Sequence, residues 1–421
     1  MRLATQSTAH TGLVGLWLLA GACSGSSAPP IDEALDEEDA GSDSLDQAGP
    51  TLSWPTELVR IDAAQPALAI GAGGPLVLSF VADGQVFVSI DPGSGLAPVA
   101  VGDQVAESSW LRAIGAPDAD RILVVWSYTR SVWVDSSGPQ LPADRLIDSF
   151  DHGSRLALGW TGSRPLLVIE DTDGTRALGV APTGATRAPA PVVADLLLEP
   201  RSGALYHNEI PRAVDLGSDR ILVFDSDGEA NAAGAGHGTE ARWVIGQRDP
   251  AVSPYVRPQA TGSISLPGAE DKNRFWIHAH DLGEGGHALS WAEIAPGSMV
   301  FDLFLARLHL DAHGTPSSVS GARNLSNTPG QTDNSDHLLL LPTADSRVWA
   351  AWRERNFGPR VALLDKDLLP LALTAPDDEL RLDDSQPISA VVDASGGLFL
   401  AAVVRPAGTA EVRCWHFPLP D

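Results

Sequence analysis

The sequence predicts an all-β protein assembled from repeated antiparallel units. One short pattern returns about seven times: a turn residue or Arg, a few strand-forming residues, then usually an aromatic. Arg121-Ile-Leu-Val-Val-Trp126, Arg155-Leu-Ala-Leu-Gly-Trp160 and Arg347-Val-Trp-Ala-Ala-Trp352 are the clearest copies. Gly286–Trp291 and Pro75–Phe80 keep the spacing, Arg220–Phe224 closes one residue early, and Gly397–Ala402 lacks the final aromatic. The second observation is what is missing. With 41 Gly and 32 Pro in 421 residues, no segment carries a convincing helical apolar period. Short Val, Leu, Ile and Trp runs bounded by Gly, Pro, Asp and Ser recur instead, as strands and turns do.

Each unit reads as four strands. A first strand precedes the opening turn in Gln65–Ala69, Pro211–Asp215, Phe275–Ala279 and His337–Leu341, and Gln386-Pro-Ile388 repeats the start of the Gln65 copy. Tight turns follow, such as Ala344-Asp-Ser346 and Asp393-Ala-Ser-Gly396, because Asp, Ser and Gly suit turn geometry. The repeated pattern is then the second strand. Val86–Asp91, Ser131–Val134, Arg242–Val244 and Arg360–Asp365 read as third strands. Fourth strands are weak, as expected of an outer, exposed position.

Four-stranded antiparallel units at this spacing resemble a β-propeller, and the resemblance spans residues 51–421. It rests on spacing and aromatic placement; the tryptophan-aspartate and Ser-x-Asp-x-Gly signatures of two propeller families are missing. About seven blades are expected, with six or eight compatible with the pattern. Aromatics at matching positions are expected to fill the wedges between blades. A pair of β-sandwiches is the rival, but it does not explain matched second strands all along the chain. Leu58-Val-Arg-Ile61 precedes the first unit, and only Pro-Leu-Pro-Asp421 follows Phe417. The early segment is therefore expected to supply the outer strand of the last blade, which removes an exposed sheet edge. Two places fit poorly. Arg121 and Arg155 lie too close together for a full blade, and the stretch from Gly174 to Asn208 has no clear motif but has room for a strand pair.

The N-terminal part reads differently. Arg2 gives a positive start, and Leu13–Ala22 is apolar but too short to span a bilayer. Ala20-Gly-Ala-Cys23 then resembles the lipobox of bacterial lipoproteins. The resemblance covers only the first two dozen residues. It implies removal of residues 1–22 as a signal peptide and acylation of the Cys23 thiol. Ala20 departs from the family's commoner Leu, and an ordinary secretory signal is the alternative. Ser24 in place of Asp implies the outer membrane under the same resemblance. Residues 23–50 form an acidic tether: eight Asp and Glu occur there with no Lys or Arg. Such a segment has too little apolar surface to offset its ordering entropy, and its like charges extend it. Cys414 has no partner if Cys23 is acylated, so no disulfide framework is expected. A formal net charge of −26 with no basic runs argues against nucleic-acid binding.

Candidate chemistry is sparse. Asp171-Thr-Asp173-Gly174 and Asp225-Ser-Asp227-Gly228, the second with Glu229 nearby, resemble fragments of a calcium loop. They are also ordinary hairpin sequences. His278 and His280 alternate on a strand and so share a face; with Asp281, Glu284 and His287 they are the densest set of zinc-type ligands. Ala233–Gly238 has glycines without a strand-to-helix context. No catalytic residue, cofactor or metal site is assigned. In an antiparallel blade, the connections between second and third strands share a face with those leading to the next blade. Two long excursions fall in that class: Asp225–Glu240 and Thr315–Asp336. Recognition tends to reside on such loops. The expected function is therefore an exported, lipid-anchored binding or scaffold module of a bacterial cell envelope, acting through one propeller face on an envelope protein or glycan. The alternative is a propeller-fold carbohydrate-active enzyme, a hydrolase or lyase, with carboxylates in the central channel.

Overall fold

The structure is a computed structural model. It describes residues 50–103, 111–127, 130–145, 155–161, 164–171, 174–179, 196–198, 212–224, 240–248, 256–267, 273–294, 301–326, 335–354, 358–375, 377, 380, 387–405 and 409–420. Residues 1–49, with the expected signal segment, Cys23 and all but the last residue of the expected acidic tether, lie outside these. All blades fall within the unit Asp43–Asp421.

The described residues build a β-propeller of seven sheets, each with four strands in antiparallel order at its core. It enters through two short strands, β1 (Thr51–Leu52) and β2 (Glu57–Ile61). Blade 1 then contains β3 (Ala64–Ile70), β4 (Leu76–Ala82), β5 (Gln85–Ile90) and β6 (Val99–Asp103). In blade 2, β7 (Arg112–Gly115), β8 (Ile122–Trp126) and β9 (Arg130–Asp135) are followed by β10 (Gly138–Pro139) and β11 (Asp144–Arg145), which share the outer edge of β9. Blade 3 is β12 (Arg155–Thr161), β13 (Arg164–Asp171), β14 (Gly174–Gly179) and β15 (Leu196–Leu198). Blade 4 is β16 (Ala213–Gly217), β17 (Arg220–Phe224), β18 (Glu240–Arg248) and β19 (Val256–Ser265). Blade 5 is β20 (Asn273–Asp281), β21 (His287–Ile294), β22 (Phe301–Leu310) and β23 (Pro316–Asn324). Blade 6 is β24 (Ser335–Pro342), β25 (Val348–Glu354), β26 (Gly358–Leu364) and β27 (Pro370–Thr374), with β1 added in parallel on β27. Blade 7 is β28 (Ser389–Val392), β29 (Leu398–Val404) and β30 (Glu411–Phe417), with β2 as its outer strand. Each first strand touches the first strands of the blades on either side, from β3 through β28 and back to β3, which closes the inner ring.

The second strands are legible because they are buried on both sides. All residues of β8 and β25 are buried. Alternate side chains enter opposite wedges: Val348, Ala350 and Trp352 pack with blade 5, while Trp349 and Ala351 pack with blade 7. Apolar clusters accordingly bridge neighbouring blades rather than filling one centre. Trp126, Trp291, Trp349, Trp352 and Trp415 are fully buried in these wedges. The Trp126 indole N–H crosses to the Asp103 carbonyl of blade 1 at 3.2 Å, and that of Trp349 to the Gly396 carbonyl of blade 7 at 2.9 Å. Two of the arginines that open second strands reach the following blade: Arg220 donates to the His313 carbonyl and Arg347 to that of Pro420, both at 2.8 Å.

Closure is as expected. β2 pairs antiparallel with β30, Glu57 opposite Trp415 and Ile61 opposite Val412. Trp54 adds edge-on contacts to Trp415 and Phe417, both at 5.3 Å between ring centroids. At the inner ring the Ser389 hydroxyl of blade 7 accepts the Leu68 N–H of blade 1 at 2.9 Å.

Two strand assignments are corrected. Arg155–Trp160 belongs to a first strand, β12, and the second strand of blade 3 is β13, which begins at Arg164. This removes the cramped spacing after Arg121. The misreading arose because both strands of that hairpin are apolar runs opened by Arg. The motif-poor stretch after Gly174 does hold a strand pair, β14 and β15. The Thr315–Asp336 excursion is not one loop: Pro316–Asn324 is β23, paired along β22. Its Ser-rich sequence reads as loop because an outer strand has few apolar positions to show, and most of β23 is not buried.

Candidate functional site: the central channel

The ring of first strands surrounds a cavity of about 580 Å³. Its walls are mainly Ala, Leu, Ile, Val and Pro from β3, β7, β12, β24 and β28. The polar groups among them are few: Arg112, Arg212, Ser389 and the edge of Trp160. Size and composition match a small-molecule pocket, in which apolar walls supply area and a few polar groups fix orientation. Among the described residues lining it there is no Asp or Glu.

Both arginines stand where the chain enters a blade: Arg112 is the first residue of β7, and Arg212 directly precedes β16. Both are half-buried. Arg112 Nη1 donates to the Leu111 carbonyl at 2.8 Å. Arg212 Nη1 lies 3.3 Å from His280 Nδ1, and His280 Nε2 lies 2.7 Å from Ser290 Oγ. A guanidinium has only donors, so Nδ1 is the accepting nitrogen and the imidazole proton sits on Nε2. His280 therefore donates to Ser290 and cannot take its proton, so the contact is not a nucleophile–base pair. Burial, then the charge of Arg212, then His278 hold the His280 pKa well below its ordinary value. The ring is neutral, and it acts as an acceptor that orients the Arg212 fork.

The candidate zinc-type set around His278 and His280, for which no metal site is assigned, forms no cluster among the described residues. Both histidines are buried on β20 in regular register, but both His280 nitrogens are engaged. Asp281 accepts the Gly283 N–H at 2.8 Å in the hairpin, Glu284 sits in a 3-10 turn, and His287 pairs opposite Asp281 at the hairpin end. Among the described residues no three His, Cys, Asp or Glu come together. Asp171 ends β13 opposite Gly174, a hairpin position; Asp173 lies outside the described residues, as do Asp225, Asp227, Glu229 and the 233–238 glycines. Cys414 is fully buried, and burial pushes its thiol pKa up to about 12, so it is an inert strand residue.

Sequence reasoning passed over several residues that matter. Arg112 and Arg212 carry no motif; both come to line the channel only because the ring closes. Trp291-Ala-Glu293 and Trp352-Arg-Glu354 repeat a local signal. Each Glu accepts from the Trp two residues earlier and from a buried Arg, Arg274 or Arg360, both at 3.2 Å. These are structural pairs within blades 5 and 6.

The seven-sheet ring and its channel define a β-propeller protein. No protein-family model matches the chain, and no curated protein sequence matches it. Among solved structures it is similar to a protein of unknown function from Dyadobacter fermentans DSM 18053, at 13% identity, with 88% of this chain and 98% of that one covered and a TM-score of 0.47. YCF48 from Cyanidioschyzon merolae aligns at 10% identity over 86% and 99% of the two chains, with a TM-score of 0.49. An endo-arabinase from Bacteroides thetaiotaomicron VPI-5482 aligns at 12% identity over 64% and 93%, with a TM-score of 0.37. Similarities of this size say nothing about ligand or activity.

Proposed function

We propose that this chain is an exported, lipid-anchored binding or scaffold module of a bacterial cell envelope, held at the outer membrane through Cys23 and displaying one propeller face to an envelope protein or glycan. The observation that carries the reading is the uneven distribution of chain between strands. On the face of the first-to-second turns the connections are short, as at 71–75, 282–286, 343–347 and 393–397. The strand ends at the opposite face are joined by longer stretches of sequence, residues 199–212, 225–239 and 375–388. The 180–195 connection is the exception to this asymmetry. Long connections on a rigid scaffold are the usual seat of recognition. The Ala20-Gly-Ala-Cys23 motif and the acidic segment after it support anchoring on an extended spacer.

Cross-linking on intact cells of the source organism, followed by mass spectrometry of captured material, tests the reading. A specific envelope protein, lost when 225–239 and 327–334 are shortened, is the expected result. Equal loss on trimming the 343–347 and 393–397 turns refutes the single-face assignment. A Cys23→Ser chain that still partitions into membranes refutes the anchor.

A further inference from the structure

We propose that the central channel is a receptor for an uncharged small molecule with a hydrocarbon body, of the long-chain alcohol type. The ligand is separate from any partner of the propeller face, and its binding does not depend on the anchor. The first support is the state of the walls. Ile70, Ile114, Leu158, Leu339, Leu341 and Val391 line the cavity, and all six are large, apolar and only half-buried. Ile70, Leu339, Leu341 and Val391 pack one side against the wedge clusters between blades. The surface that remains open borders the channel. Apolar surface held in water is unfavourable, and a hydrocarbon lodged in the ring removes it from water on several sides at once.

The second support is the size of the space. Protein interiors are close-packed, with few voids larger than a water molecule. A cavity of about 580 Å³ walled mainly by hydrocarbon is far outside that norm and within the range of small-molecule pockets. Ala113 and Ala390 lie half-buried among the larger lining residues, where a Leu or Phe would fill the space. Their small side chains keep it open.

The third support is where the polar groups stand. Arg112 and Ser389 begin β7 and β28, and Arg212 directly precedes β16. Every first strand is entered from the face opposite the first-to-second turns, so all three lie towards one end of the channel. Each serves the protein: Arg112 donates to the Leu111 carbonyl, Arg212 to His280, and Ser389 accepts the Leu68 N–H. Recognition therefore rests on the hydrocarbon walls. The residues that follow are apolar, as in Ala113-Ile114 and Ala390-Val-Val392. A ligand with one neutral polar group keeps that group at the strand starts and its hydrocarbon beyond them. A charge carried further along the channel, or the many hydroxyls of a sugar, would be left unpaired.

The test is isothermal titration of the full chain with hexan-1-ol, octan-1-ol and decan-1-ol, with maltose as a hydrophilic competitor. Saturable one-site binding is expected, tightening about tenfold for each pair of methylenes added, as burial of hydrocarbon dictates. Maltose should not displace decan-1-ol. Lack of saturable decan-1-ol binding, an affinity that does not rise with chain length, or displacement by maltose overturns the proposal on the unaltered protein. Ala113→Phe fills the channel and should weaken decan-1-ol binding by about tenfold or more. Leu141→Gln removes a side chain that is 53% exposed on blade 2 outside the channel and should leave it unchanged. Full affinity in a folded Ala113→Phe chain, or an equal loss in Leu141→Gln, also overturns it.

Discussion

The strand that closes the ring is held by a charge cluster whose removal has a calculable effect. Arg413 of β30 is almost fully buried, and its Nη1 lies 2.7 Å from Glu57 Oε1 of β2. Its Nη2 lies 3.1 Å from Glu411 Oε2. Arg60 lies over the same two carboxylates, at 3.0 Å from Glu57 and 3.7 Å from Glu411, but its side chain is 55% exposed. Arg413→Met keeps much of the packing and removes the charge, so Glu57 and Glu411 both lose their buried cation. Breaking a fully buried pair costs about 3–5 kcal/mol, and an exposed pair contributes about 0.2–1 kcal/mol. The two glutamates are 24% and 22% exposed and keep Arg60, so the expected loss lies between these limits, about 2–3 kcal/mol. Arg60→Met should cost under about 0.5 kcal/mol. Urea denaturation of the full chain measures both. Hydrogen exchange adds location: amides of residues 57–61 should exchange about 30- to 150-fold faster in Arg413→Met, the same energy read as local opening. A loss no greater than that of Arg60→Met refutes the reasoning, as does acceleration that spares β2.

Three further outcomes follow from the same structure. Gly115→Ala places a methyl against the Ile70 carbonyl of the neighbouring blade, where backbone meets backbone, and should destabilise severely; Gly84→Ala meets no atom within 4 Å and should cost only about 1 kcal/mol for its positive φ, as thermal melts will show. His280 has a folded pKa below its unfolded value, so the unfolded chain binds the extra proton: its contribution is complete above the unfolded pKa near 6.5 and is lost as pH falls, by at most about 1.4 kcal/mol per unit. Stability of His280→Gln measured from pH 7 to 5 should fall less steeply than that of the unaltered chain; parallel curves would contradict this. In a Cys23→Ser chain, Ellman's reagent should leave Cys414 unmodified until unfolding, because the thiol is fully buried and its pKa is about 12; fast reaction in the folded chain would show otherwise.

Much of the blade plan was legible because second strands are packed on both sides. Val124 and Val125, or Ala350 and Ala351, enter opposite wedges, so the whole run must be apolar, and the run stands out from its Gly, Asp and Ser turns. The outer strands were obscure for the converse reason. β23 and β6 are largely exposed, tolerate Ser, Arg and Gly, and leave no periodic trace. The Arg155 run misled because a first strand next to a well-packed wedge has the same composition as a second strand. His278 and His280 drew attention as potential ligands; the structure gives the nitrogens of His280 to Arg212 and Ser290.

The sequence by itself determined the fold class, the repeated unit and the closing role of residues 58–61, since all three are local or periodic properties of apolar and turn residues. Tertiary structure alone decided the strand order within blade 3, the charge cluster at closure and the channel. Arg112 and Arg212 come from different blades, and Glu57 and Arg413 from opposite ends of the chain. The shared channel lining of the first two and the contact of the second two are set by closure of the ring, a global constraint that leaves no mark on the residues beside them.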